Sequence, residues 1–436
     1  MNGCLLPAFF AAMHGAGPPV VLPPRPPGTI DSSVASKAAK ALPGLSAENE
    51  LGTANFTVQW TSSGIDPSFA SSVADHLEEA WAALIMRDGW DAPMTSDAHK
   101  ILVWLTPELA APGLATGDPT ESFPTGQPVI YLNPDLLEDT AYRQQVVHHE
   151  FVHTTQFHLR DWYGGEPGEA WYWEASAEWL TEHVDPAANG QAWLSQFYAD
   201  QPGVAFDTVD GGHEYAMFLL NAYLDEHRGG VTALQSVWLD NEGHDWLTEI
   251  HRATGSAPPE IWADFVGAYY AGQLQDSELY ALPEPVWAGG TIPGHLGAMY
   301  IRLAETEGVV ALEAGEGTLV RDGEWVRFSG EATIPAGDGE VVLVVTNPAD
   351  VPLTVSFAVG PVAPDDTGLP QDTGMPDDSA SPEDTGISPV GAADSEASKA
   401  ERSGCEAMAS GPAWLWFFGL LGLRRRCASQ RECSRP

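Results

Sequence analysis

No cysteine occurs between residues 5 and 404; the four in the chain are Cys4, Cys405, Cys427 and Cys433. Whatever folds between them does so without a disulfide framework, by burying apolar surface alone. With 436 residues the chain is long enough for two domains and flexible ends. A metal site inside the fold must be built from His, Asp or Glu, because no CxxC pair is available. The charge balance narrows the partners. Sixty-one Asp and Glu face nineteen Lys and Arg, for a formal charge of −42, and such a surface repels polyanions, so nucleic acid is excluded as a partner.

The apolar and polar texture divides the chain into six parts. Residues 1–28 carry an apolar run from Leu5 to Met13 followed by small residues, which reads as a secretory leader although it lacks a basic start. Residues 29–50 read as a linker or propeptide. Within 51–285, FTVQW at 56–60 alternates as a strand, and Phe69, Val73, Leu77, Trp81, Leu84 and Ile85 mark one face of a helix. ILVWLTP and PVIYLNP, each closed by proline, read as buried strands at 101–107 and 128–134. Helical patterns follow at about 139–159, 170–183, 215–228, 231–240 and 260–270. Residues 286–360 switch to period-two alternation, with Asp322-Gly323 placed as a two-residue hairpin turn, and predict a small β-sandwich without chemistry of its own. Residues 361–403 repeat DTG three times amid Pro, Ser and acid, a composition that builds no core. Residues 404–436 pair an apolar run, PAWLWFFGLLGL, with Arg424, Arg425 and Arg426.

The chemistry lies in VVHHEFVHTTQ. His149-Glu150-Phe151-Val152-His153 is HExxH, and on a helix residues four apart differ by about 40° in direction, so both imidazoles leave one face and can share a metal. Glu150 then stands beside a water that it can deprotonate. Alone, the motif is only suggestive, since His148 and His158 show that this helix carries histidines without each being a ligand. A third ligand is required. The continuation HxxGxxH fails, because Gln156 and Leu159 hold the Gly and last His positions and His158 is one residue off register. Among aspartates only Asp161 and Asp185 are near, and neither belongs to the tryptophan-rich helix. WYWEASAEWLTEH offers Glu174, twenty-one residues after His153, with Glu178 one turn on, able to accept the outer N–H of a ligating imidazole. An isolated ExxxE framed by Trp171, Trp173 and Trp179 would read as the solvated face of an amphipathic helix; just after HExxH it reads as a metal site.

HHEFVHTTQ, then WEASAEWLTEHV, then HEYAMFLLNAYLDEHRG resemble the gluzincin-like metalloproteases of myxobacteria and their relatives over roughly residues 56–274. The resemblance implies an α+β zincin-like metallopeptidase domain with a mixed sheet, followed by the all-β sandwich. It also implies one Zn2+ held by His149, His153 and Glu174, with Glu150 as general base and Tyr215 or His213 as donor to the oxyanion. Glu178 precedes Trp179 and Glu182 follows it, which leaves open which carboxylate supports a ligating imidazole. Gly404-Cys405, the apolar run and the arginines resemble the MYXO-CTERM sorting signal of myxobacterial exported proteins, although ten residues follow the arginines. That resemblance implies display at the outer membrane or cell surface.

The expected activity is hydrolysis of a peptide bond in a protein or peptide substrate by a monomeric, exported enzyme. An extended substrate is expected to pair with an edge strand of the first sheet, with 128–133 as the candidate. Two alternatives stand beside this: a surface adhesion protein with an inactive zincin fold, which the intact Glu150 argues against, and a zinc amidase acting on a non-protein amide.

Overall fold

The structure, a computed structural model, describes residues 47–361 apart from 62–63, 94–99, 117–127, 160–169, 240–244 and 305–306. The leader at 1–28, most of the 29–50 linker, the DTG-rich stretch, the sorting segment and Asp161 lie outside the described residues. No helix among the described residues is long and apolar enough to cross a membrane.

The first sheet is built from short strands. Strands β1 (Asn49–Gly52), β2 (Phe56–Trp60), β3 (Ile101–Leu105), β4 (Gly113–Thr116) and β5 (Val129–Leu132) form a mixed sheet in the order β1-β2-β3-β5-β4. Burial alternates along β1 and β2 and is complete along β4 and β5. The three central strands are parallel, and β1 and β4 are antiparallel borders. Phe56, Val58, Ile101, Val103, Ile130, Leu132 and Ala115 point to the main core. Trp104, Leu114, Val129 and Tyr131, one residue out of phase, form a smaller cluster on the other face. The order corrects one expectation. The 128–133 run is not an edge: β5 sits between β3 and β4, and β4, a strand the sequence reading missed, is the border beside the helices. A four-residue strand beginning at glycine leaves too little periodicity to recognise.

Helix α1 (Pro67–Trp81) crosses from β2 toward β3 and is started by Asp66, whose side chain accepts the Ser68 N–H. A short π-helical turn, Ala82–Arg87, continues it. Helix α2 (Thr140–Leu159) holds HExxH and lies against α1, β4 and β5. Every residue from Gln145 to Gln156 is buried, and His158 alone of its four histidines is exposed. Helix α3 (Ala170–Val184) is buried almost all round, with Trp171, Tyr172 and Trp173 among the largest enclosed side chains. The pattern expected at 215–228 is two helices, α5 (His213–Ala216) and α6 (Phe218–His227), because Met217 leaves the helical region with ψ near 1°. They follow the short α4 (Ser195–Asp200) and precede α7 (Val231–Leu239), α8 (Trp246–Thr254) and α9 (Pro258–Tyr270).

The C-terminal part is β-rich. After a short pair, β6 (Thr291–Ile292) with β13 (Leu353–Thr354), a four-stranded sheet contains β7 (Ala298–Arg302), β9 (Glu316–Arg321), β10 (Glu324–Phe328) and β12 (Val342–Thr346), and shares an apolar interior with a three-stranded sheet of β8 (Val309–Leu312), β11 (Glu331–Thr333) and β14 (Phe357–Gly360). The β9–β10 turn is Asp322-Gly323, both at positive φ (53° and 80°), as a primed two-residue hairpin requires. Strict alternation lets β12 serve two cores: Leu343 and Val345 face the sandwich interior, whereas Val342 and Val344 join the main core. Helix α9 covers that outer face so closely that a Cβ on Gly267 would fall 2.7 Å from Thr318 Cγ2. Thr318 Oγ1 donates to Ala263 O across this contact (3.0 Å).

Candidate metal centre

Polar side chains are rarely enclosed without partners, because an unsatisfied buried donor or acceptor costs about 1–3 kcal/mol. Helix α2 encloses His148, His149, Glu150, His153, Thr154, Thr155 and Gln156 along one stretch. Such a concentration is explained by what the groups do for one another and for a ligand.

The centre is made by α2 and α3 lying side by side. Glu174 Oε2 is 3.1 Å from His149 Nε2 and 3.4 Å from His153 Nε2, and the two imidazoles stand perpendicular with centroids 4.5 Å apart. These three form a buried group able to surround one cation. Each imidazole is oriented from its other side. His149 Nδ1 lies 3.1 Å from Glu178 Oε1, and Glu178 Oε2 accepts a hydrogen bond from Gln145 Nε2 (3.0 Å). His153 Nδ1 is 2.7 Å from Gln156 Oε1, and Gln156 Nε2 in turn donates to Trp173 O and Ser176 Oγ. His153, with Nδ1 engaged by Gln156, directs its Nε2 toward Glu174, and His149 presents its Nε2 to the same carboxylate with Glu178 behind its ring.

The electrostatics reflect this packing. Burial works against a charged His149, yet Glu178 and Glu174 overcome it and hold the imidazole well above its ordinary range. Burial likewise works to raise Glu174, but His153 and His149 pull it down to about 2. Glu150 is displaced upward, mainly by burial, and its Oε1 has no hydrogen-bond partner. It faces β4: a Cβ on Gly113 would fall 2.6 Å from Glu150 Oε1, so only glycine leaves the carboxylate its place.

The other sequence candidates separate. Tyr215, at the start of the helix pair after α4, is buried with its ring 6.1 Å from that of His149. Burial, and then the carboxylates of Glu174, Glu214, Glu178 and Glu150, keep its hydroxyl protonated far above neutrality. His213 instead packs near Tyr198, with ring centroids 6.0 Å apart. Burial lowers it to about 4, so it is a neutral imidazole, and neither ring nitrogen has a hydrogen-bond partner. Of the two carboxylates left open on α3, Glu178 meets His149, while Glu182 is buried with both oxygens unpartnered and is pushed up to about 8 by burial.

Sequence reasoning passed over Gln145, Gln156 and Gly113. The glutamines were within reach of the helical rule: Gln156 is three residues after His153 and Gln145 four before His149, where side chains meet on one face. Gly113 gave no such sign, since its role depends on β4 lying against α2.

The donor set fits a zinc ion. Two imidazole nitrogens and one carboxylate oxygen are the ligand types zinc takes, and bonds of about 2.0–2.2 Å at the tetrahedral angle set neighbouring ligand atoms about 3.4 Å apart, as between His153 and Glu174 here. Three carboxylates around two imidazoles also leave the centre short of positive charge.

Residues 39–261, just over half of the chain, match the family of unknown function DUF6055, and the chain belongs to that family. No curated protein matches it.

Proposed function

We propose that this protein is an exported zinc metallopeptidase with a zincin-like catalytic domain, of the HExxH-plus-Glu kind. The observation that carries the reading is the convergence of Glu174 on both imidazoles of the motif, 3.1 and 3.4 Å away, with Glu150 between them in the sequence and its Oε1 unpartnered. His149, His153 and Glu174 would hold the ion, and Glu178 and Gln156 would fix the two rings. A zinc ion at this position supplies Lewis acidity toward water and the scissile carbonyl.

The chain's own groups do the proton work. Glu150, made more basic by burial, takes a proton from the attacking water as the C–O bond forms, then gives it to the amine as the C–N bond breaks. Tyr215, kept protonated, is the donor to the carbonyl oxygen as it gains charge. His213 is assigned no such role, because its ring packs near Tyr198 whereas the Tyr215 ring lies against that of His149. The border strand β4, beside Glu150, replaces 128–133 as the strand on which an extended peptide would lie. The apolar run and arginines at 404–436 support anchoring at the cell surface.

The test is zinc content and peptide hydrolysis on the full chain, wild type beside Glu174→Ala and Glu150→Gln. One firmly held zinc that is lost in Glu174→Ala, with zinc kept but hydrolysis reduced at least 10²-fold in Glu150→Gln, is expected. Firmly bound zinc in wild type with cleavage only of non-protein amides would move the assignment to an amidase. Wild type without firmly bound zinc would end the enzyme reading.

A further inference from the structure

A second group of metal-type ligands lies outside the centre described above, where α1 meets α2. His76 and Glu79 are on α1, three residues apart and so on one face, and His148 is on α2. Glu79 Oε2 is 3.5 Å from His76 Nδ1 and 3.5 Å from His148 Nε2, and the two rings stand nearly perpendicular, 5.9 Å apart. The three ligand atoms lie within 4.8 Å of one another. Both 3.5 Å separations match the edge of a zinc tetrahedron, about 3.4 Å.

The surroundings of the cluster favour a cation. His148 is enclosed, 1 % exposed, and its Nε2 has no hydrogen-bond partner although it points at Glu79. His76 Nε2 is 3.4 Å from Ser72 Oγ one turn earlier, so the ring is steadied from the side away from Glu79, as ligating imidazoles are. Arg143, close enough to act on His76, makes no bond to Glu79: it donates to Glu138 O and Thr140 Oγ1 and lies over the Phe69 ring. Gln144 Nε2 bridges Glu79 Oε2 and Asp185 Oδ2, adding a second carboxylate nearby.

We propose that His76, Glu79 and His148 form a second site for a divalent transition-metal ion of the imidazole-binding class, zinc foremost. The site joins α1 to the motif helix. Glu79 is 45 % exposed, so the ion keeps a solvent-facing position and exchanges far more readily than one held by His149, His153 and Glu174.

The experiment uses the full chain with the first centre dismantled by His153→Ala and Glu174→Ala, titrated with zinc chloride by calorimetry and followed by thermal melting. One equivalent bound, with a rise in Tm, and at least a tenfold loss of affinity on adding Glu79→Gln or His76→Gln, is the expected result. No zinc bound, or binding that neither added change weakens, overturns the site. Should the dismantled chain fail to fold, the wild-type background serves: Glu79→Gln, at an exposed position, lowers two equivalents to one, and an unchanged stoichiometry overturns the site. Failure of the peptidase reading is separate, because it appears as loss of the tight site that persists in Glu79→Gln.

Discussion

Helix α2 carries two His/Glu clusters from adjacent residues, and they differ in every respect but ligand type. His149 belongs to a group enclosed on all sides, in which each imidazole is held by another side chain and Glu174 comes from a helix packed along the whole length of the motif. His148 belongs to a group whose carboxylate is half in solvent and whose outer supports are one serine hydroxyl and one glutamine amide. The comparison teaches that ligand identity sets what a cluster can bind, whereas burial and the groups behind the ligands set how tightly and for what purpose. A cation in the enclosed group would be held by ligands that other side chains fix in place, beside the Glu150 carboxylate. In the open group a cation would join two helices.

The largest effect follows from removing the groups behind the ligands. Glu178→Ala or Gln156→Ala leaves all three ligands of the enclosed cluster in place, yet should weaken zinc binding or hydrolysis by about 10–100-fold, toward the behaviour of the open cluster. Competition with a chelator of graded strength measures this, and unchanged affinity in both variants would remove the basis of the contrast.

A smaller, more selective effect belongs to Gly113→Ala. The added Cβ meets Glu150 Oε1 at 2.6 Å and Val146 Cγ1 at 2.8 Å, so the base is displaced while the ligands stay. Overpacking of this kind costs about 1–3 kcal/mol. Hydrolysis should fall roughly tenfold or more with both zinc equivalents retained, which kinetics beside metal analysis will show.

The smallest effect uses α3 as its own control. Glu174 and Glu182 are both buried on that helix, but Glu174 has two imidazoles and is drawn down to about 2, while Glu182 has none and rises to about 8. A carboxyl raised from its ordinary 4.5 to about 8 favours the fold most below pH 4.5, where it is protonated in both states. Its contribution is lost progressively as pH rises toward 8. Glu182→Gln should therefore raise Tm by a few degrees at pH 8, with the gain shrinking toward pH 5. A gain independent of pH would show that Glu182 finds a partner when ionised.

Much of this is legible in the amino-acid sequence. The FTVQW strand, the apolar stripe of α1, the HExxH helix and the Asp322-Gly323 hairpin each rest on interactions within a few residues, and each stands where the sequence placed it. Glu174 was also found, because its helix has a distinctive tryptophan pattern at a fixed distance from HExxH. The strands that were missed, β1 and β4, are four residues long and owe their existence to their neighbours in the sheet. His148 shows the same limit within the site. On the sequence it is a spare histidine beside a motif; its partners His76 and Glu79 stand about seventy residues earlier and meet it only because α1 and α2 pack together.

The sequence by itself therefore determined the elements of the catalytic reading: two imidazoles on one helical face, a base between them, and an acidic helix to follow. Helical geometry repeats identically wherever a helix forms, so spacing alone carries that information. Only the tertiary structure decided which carboxylate supports His149, that β4 and not β5 borders the base, that Tyr215 and not His213 lies on the ligand ring, and that a second cluster exists. Those choices are set by which faces pack together across long separations in the chain, and no local pattern records them.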